Sequence, residues 1–192
     1  MGRRKQPIDE TCVPDLRRSA LRLFAVHGIE GASVRMISSA AGVSEAALYR
    51  HYKGKDELAY DLFLRGIGDL VLRLQVATAR EKDSKSKIRA LIEAYSRAFD
   101  EDPELHGYLI QSQHLMLPRM PKNFPNPRHL MREIVEEGQS TGVFAKGDPE
   151  LHAAAVIGMI ERVSVYHVYR TLPGALSDRA TLLVNLVSKA LS

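Results

Sequence analysis

Residues Ser33–Leu58 read SVRMISSAAGVSEAALYRHYKGKDEL, and their spacing specifies two short helices around a glycine corner, then the start of a third. Ser33 is placed to cap a helix whose Val34, Ile37, Ala40 and Ala41 recur three or four apart. Gly42 ends that helix, because a sharp corner needs a left-handed residue and glycine adopts one without a Cβ clash. Ser44 caps the second helix. Within it Ala47, Leu48 and Tyr52 face inward, which leaves Glu45, Ala46, Tyr49, Arg50 and His51 on or beside the outer face. Small residues at Ser38 and Ala41 allow the two helices to cross closely, the geometry in which such a pair offers one helix to a major groove.

Charge follows the same division of the chain. Residues 1–55 hold 10 Lys+Arg and 5 Asp+Glu, whereas residues 56–192 hold 17 and 18, so the overall excess of +4 is concentrated on the segment with the helix pair. A cationic head of this kind faces a polyanion, and its non-specific affinity should fall with salt. Met1-Gly2-Arg3-Arg4-Lys5 reads either as a basic arm for a minor groove or as a solvated end. Gln6 stands where an acylation signal needs Ser or Thr, and the sequence has no apolar run of membrane-spanning length. The chain therefore reads as soluble and cytoplasmic, with no membrane partner. Cys12 is the single cysteine, which excludes an internal disulfide and reads as inert packing.

Three blocks carry a family resemblance: Ile37-Ser38-x-Ala40-Ala41-Gly42-Val43-Ser44, Leu48-Tyr49-Arg50-His51-Tyr52 and Lys55-Asp56-Glu57-Leu58. They resemble the amino-terminal domain of the tetracycline-repressor (TetR) family. Ser38 departs from the usual alanine, Glu45 from a lysine or arginine, and Ala47 from a threonine or serine. The last two changes remove phosphate or base contacts, so no operator sequence carries over. The resemblance implies an all-α protein of about nine helices: a three-helix helix-turn-helix DNA-binding domain over 1–54 and a larger helical effector-binding and dimerisation domain over 55–192. It also implies a homodimer on a palindromic operator in double-stranded DNA, with two reading helices about 34–36 Å apart or a multiple of that. By position and chemistry, Ser33, Arg35, Tyr49 and Lys55 meet phosphate, while Ser44, Glu45, Ala46, Ala47, Arg50 and His51 face bases or nearby phosphates. Arg50 suits guanine, Glu45 a cytosine amine, and Ala46 or Ala47 a thymine methyl.

The remaining sequence is helical in pattern. A first helix is expected from about Asp9 to His27 with Gly28 as its stop, and a long one from Lys55 to about Arg80, in which Gly66 and Gly68 mark either a bend or two tolerated glycines. Further helices are expected over about Lys87–Phe99, from Asp102-Pro103 to Pro118, over Arg128–Gln139, from Asp148-Pro149 to about Arg170, and over about Asp178–Leu191. Between them Pro118–Pro127 is an irregular loop, either a lid or a plain connection. The stretch LHAAAVIGMI is apolar around its circumference and needs cover on two sides. A second copy of the chain supplies it, through Leu151, Ala155 and Gly158 with Leu183, Leu186, Val187 and Ala190 of the last helix, two helices per subunit.

For the small-molecule effector implied by the resemblance, Tyr95, Phe99, His114, Met116, Met159 and Tyr166 form an apolar and aromatic set suited to a hydrophobic or aromatic ligand, or are simply core. Five histidines follow residue 100, but no two stand three or four apart on a helix, which argues against a metal sensor. No cofactor and no catalytic residue is expected, since nucleophile-elbow, zinc-protease and phosphate-loop motifs are all lacking. An all-helical enzyme, or an interaction module with a basic head, is the competing reading.

Overall fold

The computed structural model describes residues 13–192; the proposed basic arm and Cys12 lie outside the described residues. Among the described residues there are nine α-helices: α1 (Val13–Gly31), α2 (Val34–Ala40), α3 (Glu45–His51), α4 (Lys55–Thr78), α5 (Ser84–Glu101), α6 (Pro103–Met116), α7 (Pro127–Ser140), α8 (Pro149–Val168) and α9 (Ala180–Ala190). Short 3-10 turns at Leu117–Arg119 and Ser177–Arg179 complete the set.

Most boundaries are written in polar caps. Asp102 accepts the Leu105 amide at 3.0 Å, Asn126 the His129 amide at 3.2 Å, and Asp148 the Glu150 amide at 2.9 Å, each beside a proline in the first turn. Two details differ from expectation, and a third settles an open alternative. Gly28 does break α1, with φ 70° and ψ 170°, but one more turn follows before Gly31. Helix α5 starts at Ser84 rather than Lys87, because the Asp83 carboxylate accepts both the amide and the hydroxyl of Ser86, at 3.0 and 2.8 Å. Helix α4 is uninterrupted through Gly66 and Gly68.

The chain divides into two compact units. The first comprises the described residues up to Gly66 together with Gly107–Met120, and buries Leu16, Phe24, Ile37, Leu48, Leu58 and Phe63. In it Phe24 stacks on Tyr108 at 5.9 Å, and the Tyr108 hydroxyl donates to the Ala59 carbonyl at 2.6 Å. The second comprises Ile67–His106 and Pro121–Ser192, with Ile88, Ile92, Met131, Val135, Val156 and Val187 in its core. There the Asp100 carboxylate takes the amides of Leu176 and Ser177 at 2.8 and 2.9 Å, which ties α5 to the turn before α9. Burial alone would raise its pKa, but these amides and the Ser177 hydroxyl outweigh that and hold it below the usual carboxylate value.

Candidate nucleic-acid interface

The glycine corner is built from local hydrogen bonds. Ser33 is extended and its hydroxyl accepts the Met36 amide at 3.2 Å, opening α2; the Ser44 hydroxyl accepts the Ala47 amide at 3.1 Å, opening α3. Between them Gly42 has φ +71° and would have open space around a Cβ, so glycine is needed for backbone conformation and not for room. The Val43 amide closes the corner on the Ser38 carbonyl at 2.9 Å. Ser38 itself is fully buried and its hydroxyl has no hydrogen-bond partner among the described residues, which fits a position where alanine would serve.

A polar network braces this pair. The Tyr52 hydroxyl donates to Asp61 at 2.8 Å and receives Arg17 Nε at 2.8 Å, while Arg17 and Arg65 both donate to the same carboxylate, at 3.1 and 2.9 Å. Burial first, then the Asp61 carboxylate, pushes the Tyr52 pKa up, so the hydroxyl stays a donor. Lys55 has a role absent from the sequence reading. Its ammonium donates to the carbonyls of Ile29 and Glu30, at 2.9 and 3.1 Å, and caps the last turn of α1. Two of its three N–H groups are thereby committed inside the protein, and the ammonium also pairs with the exposed Glu30 carboxylate at 3.5 Å.

The outer face of α3 carries Glu45, Ala46, Tyr49, Arg50 and His51, all exposed, with Tyr49 at 55%. Ser33 and Arg35, at the start of α2, are exposed as well. One assignment is corrected. Ala47 is 0% exposed, so its methyl cannot reach a thymine; its inward orientation, read from spacing, excludes the base contact assigned to it alongside.

Corrections also apply to the second unit. On α8, Leu151, Ala155 and Gly158 are exposed along one stripe, as are Leu186 and Ala190 on α9. Leu183 and Val187 are instead buried in the subunit's own core, at 3% and 0%, and cannot face a partner. On α9 the sequence reading missed the exposed Leu182. Of the proposed effector liners, Tyr95 and Phe99 are buried in the second unit and Met159 is half-buried there, whereas Tyr166 is exposed. Met116 is buried in the first unit, and His114 is exposed in it. Neither His114 nor Tyr166 lines an enclosed space, because each lies on an outward turn of its helix. The residues actually gathered around Phe99 are His106 and His167, at 5.6 and 6.1 Å between ring centres, with Tyr95 edge-on to His106 at 5.8 Å.

His106 is held neutral: burial lowers its pKa from 6.5, and the bond to the Asp102 carbonyl opposes this only in part. A group neutral when folded but free to protonate when unfolded gives stability that is fully present above its unfolded pKa and is lost as pH falls below it. The urea midpoint should therefore be flat above about pH 7 and decline from about pH 6.5 downwards. His106→Phe should flatten that decline; an unchanged pH profile in the variant would contradict the assignment.

The family model for the tetR family of bacterial regulatory proteins matches residues 16–62, and that for the tetracyclin repressor-like C-terminal domain matches residues 85–183, more than half of the chain. The chain belongs to the tetracycline-repressor family. Within this family, the transcriptional activator FasR of Mycolicibacterium smegmatis is 26% identical over 102 residues, 53% of this chain and 47% of that protein. The transcriptional repressor KstR2 of Rhodococcus jostii is 33% identical over 100 residues, 49% of this chain and 48% of that protein. The chain thus spans about half the length of the curated relatives it matches. Among solved structures, the fatty acid degradation regulator FadR of Bacillus halodurans superposes with a TM-score of 0.81 at 20% identity, covering 97% of each chain, which shows a shared TetR fold. Membership in a family of regulatory proteins sets aside the enzyme reading. Among the described residues no helix is long and apolar enough to cross a membrane.

Proposed function

We propose that this TetR-family chain is a cytoplasmic, dimeric, sequence-specific DNA-binding regulator that represses from a palindromic operator and is released by a small hydrophobic or aromatic effector. The observation that carries the reading is the outward row of α3, with Glu45, Ala46, Tyr49, Arg50 and His51 exposed on a capped helix braced from behind by Arg17, Tyr52 and Asp61. A rigid helix that presents donors, an acceptor and a methyl can read base edges in a major groove. Repression then needs only occupancy of the operator. In this reading the duplex-binding domain spans 1–54 and the effector and dimerisation domain 55–192.

Enrichment of genomic fragments on the purified protein should return an inverted repeat; return of no preferred sequence would favour the interaction-module reading. With that fragment in a mobility-shift assay, Arg50→Ala should cost about 10–100-fold in affinity and relax preference at one base pair per half-site. Tyr49→Ala should abolish binding across all sequences while the protein stays folded. Equal loss of sequence preference in both variants would refute the division into base and phosphate contacts.

A further inference from the structure

In the second unit two imidazoles flank Phe99. His106 Nδ1 lies 3.1 Å from the carbonyl of Asp102. A carbonyl oxygen only accepts, so that ring nitrogen carries the proton and Nε2 of the neutral ring is a bare acceptor. Burial lowers the pKa of both groups, helped by the nearby guanidinium of Arg73 for His106 and of Arg179 for His167, and this outweighs the opposing carboxylates, Asp102 and Glu101 for His106 and Asp100 for His167. Each Nε2 is buried and has no hydrogen-bond partner among the described residues, and the His106 side chain belongs to a residue only 5% exposed. Around them the surface is aromatic: Phe99 touches both rings, and Tyr95 stands edge-on to His106 with its hydroxyl engaged by Ser164. An acceptor taken out of water without a donor carries its full desolvation penalty, and two of them beside one phenyl ring mark a place built to receive donors.

We propose that this cluster is the specificity-determining end of the effector site, where a neutral, mainly apolar or aromatic ligand donates a hydroxyl or N–H hydrogen to Nε2 of His106 and lies against Phe99. The inference deepens the regulator reading and rests on it. It narrows the ligand class from hydrophobic molecules in general to those with a hydrogen-bond donor at one end, phenols and alcohols among them. An ether has no hydrogen to donate, and a carboxylate would set its negative oxygens against the imidazole lone pair.

The test uses the full chain without DNA, titrated calorimetrically with 4-butylphenol, its methyl ether 4-butylanisole, and 4-butylbenzoate. The phenol should bind at least about tenfold more tightly than the ether, the benzoate should not bind, and His106→Phe should bring the phenol down to the ether's affinity. Equal binding of phenol and ether, binding of neither at millimolar concentration, or an undiminished phenol preference in the variant would overturn the proposal. Should the variant not fold, long-range 15N spectra of the histidine-labelled native chain decide: the Nε2 resonance of an Nδ1-protonated ring moves with phenol and not with ether, and the absence of that movement overturns the proposal. Operator enrichment is measured separately. A protein that captures an inverted repeat but fails the phenol test loses this inference alone, whereas one that prefers phenol and captures no sequence loses the regulator reading.

Discussion

Ala47→Asp should unfold the amino-terminal head and remove duplex binding with it. The methyl of Ala47 is fully buried under α3, two residues from the exposed Tyr49 and flanked in sequence by the exposed Ala46. A carboxylate at that position is taken out of water beneath a helix whose inward face is apolar. The cost is of the order of 4 kcal/mol or more, comparable with the whole stability of a small domain. Limited proteolysis should cut between α1 and α4 in the variant, and amide exchange there should become unprotected while α5 and α7 to α9, which belong to the second unit, keep their protection. Ala46→Asp is the matched control. Its carboxylate stays in solvent, changes stability by no more than about 0.5 kcal/mol, and weakens operator binding through repulsion by phosphate. A folded Ala47→Asp protein with native operator affinity would show that α3 is rotated from the orientation described.

What the sequence revealed about the head is what short-range chemistry determines. Ser33, Ser44 and Gly42 act on amides and dihedral angles within three residues of themselves, so their roles are legible from neighbours alone. Lys55 and Asp61 are different. Lys55 reaches carbonyls 25 and 26 positions earlier in the chain, and Asp61 gathers Arg17 from 44 positions away, partnerships that no periodicity encodes. Ala47 was ambiguous for another reason: a methyl group fits a core and a groove equally well, and only packing decides. The same limit hid the imidazole pair, since His106 and His167 lie far apart in sequence and meet only around Phe99.

The face of α9 proposed to pair subunits was assigned the wrong residues because that helix is apolar on both sides. Its sequence ATLLVNLVSKA places leucine or valine at 182, 183, 184, 186 and 187, so helical spacing yields two stripes and does not say which one is core. Burial separates them: Leu183 and Val187 are internal, whereas Leu182 and Leu186 are 61% and 49% exposed, and α8 adds Leu151, Ala155 and Gly158 on its own exposed stripe. The double variant Leu182→Glu/Leu186→Glu should therefore leave the subunit folded and break the dimer. Each leucine returns about 1.5–3 kcal/mol when buried, and two-fold symmetry counts every substitution twice. The loss approaches 6 kcal/mol at the low end, about four decades in dissociation constant, before repulsion among the new carboxylates is added. Sedimentation at micromolar concentration should show monomers with native helicity, and operator affinity should fall because one head then makes the contacts of two. Leu183→Glu should do something else: with its side chain inside the core it should unfold the second unit. If the double variant stays dimeric at nanomolar concentration, or if Leu183→Glu dissociates without unfolding, the exposed stripes of α8 and α9 are not the surface on which the subunits meet.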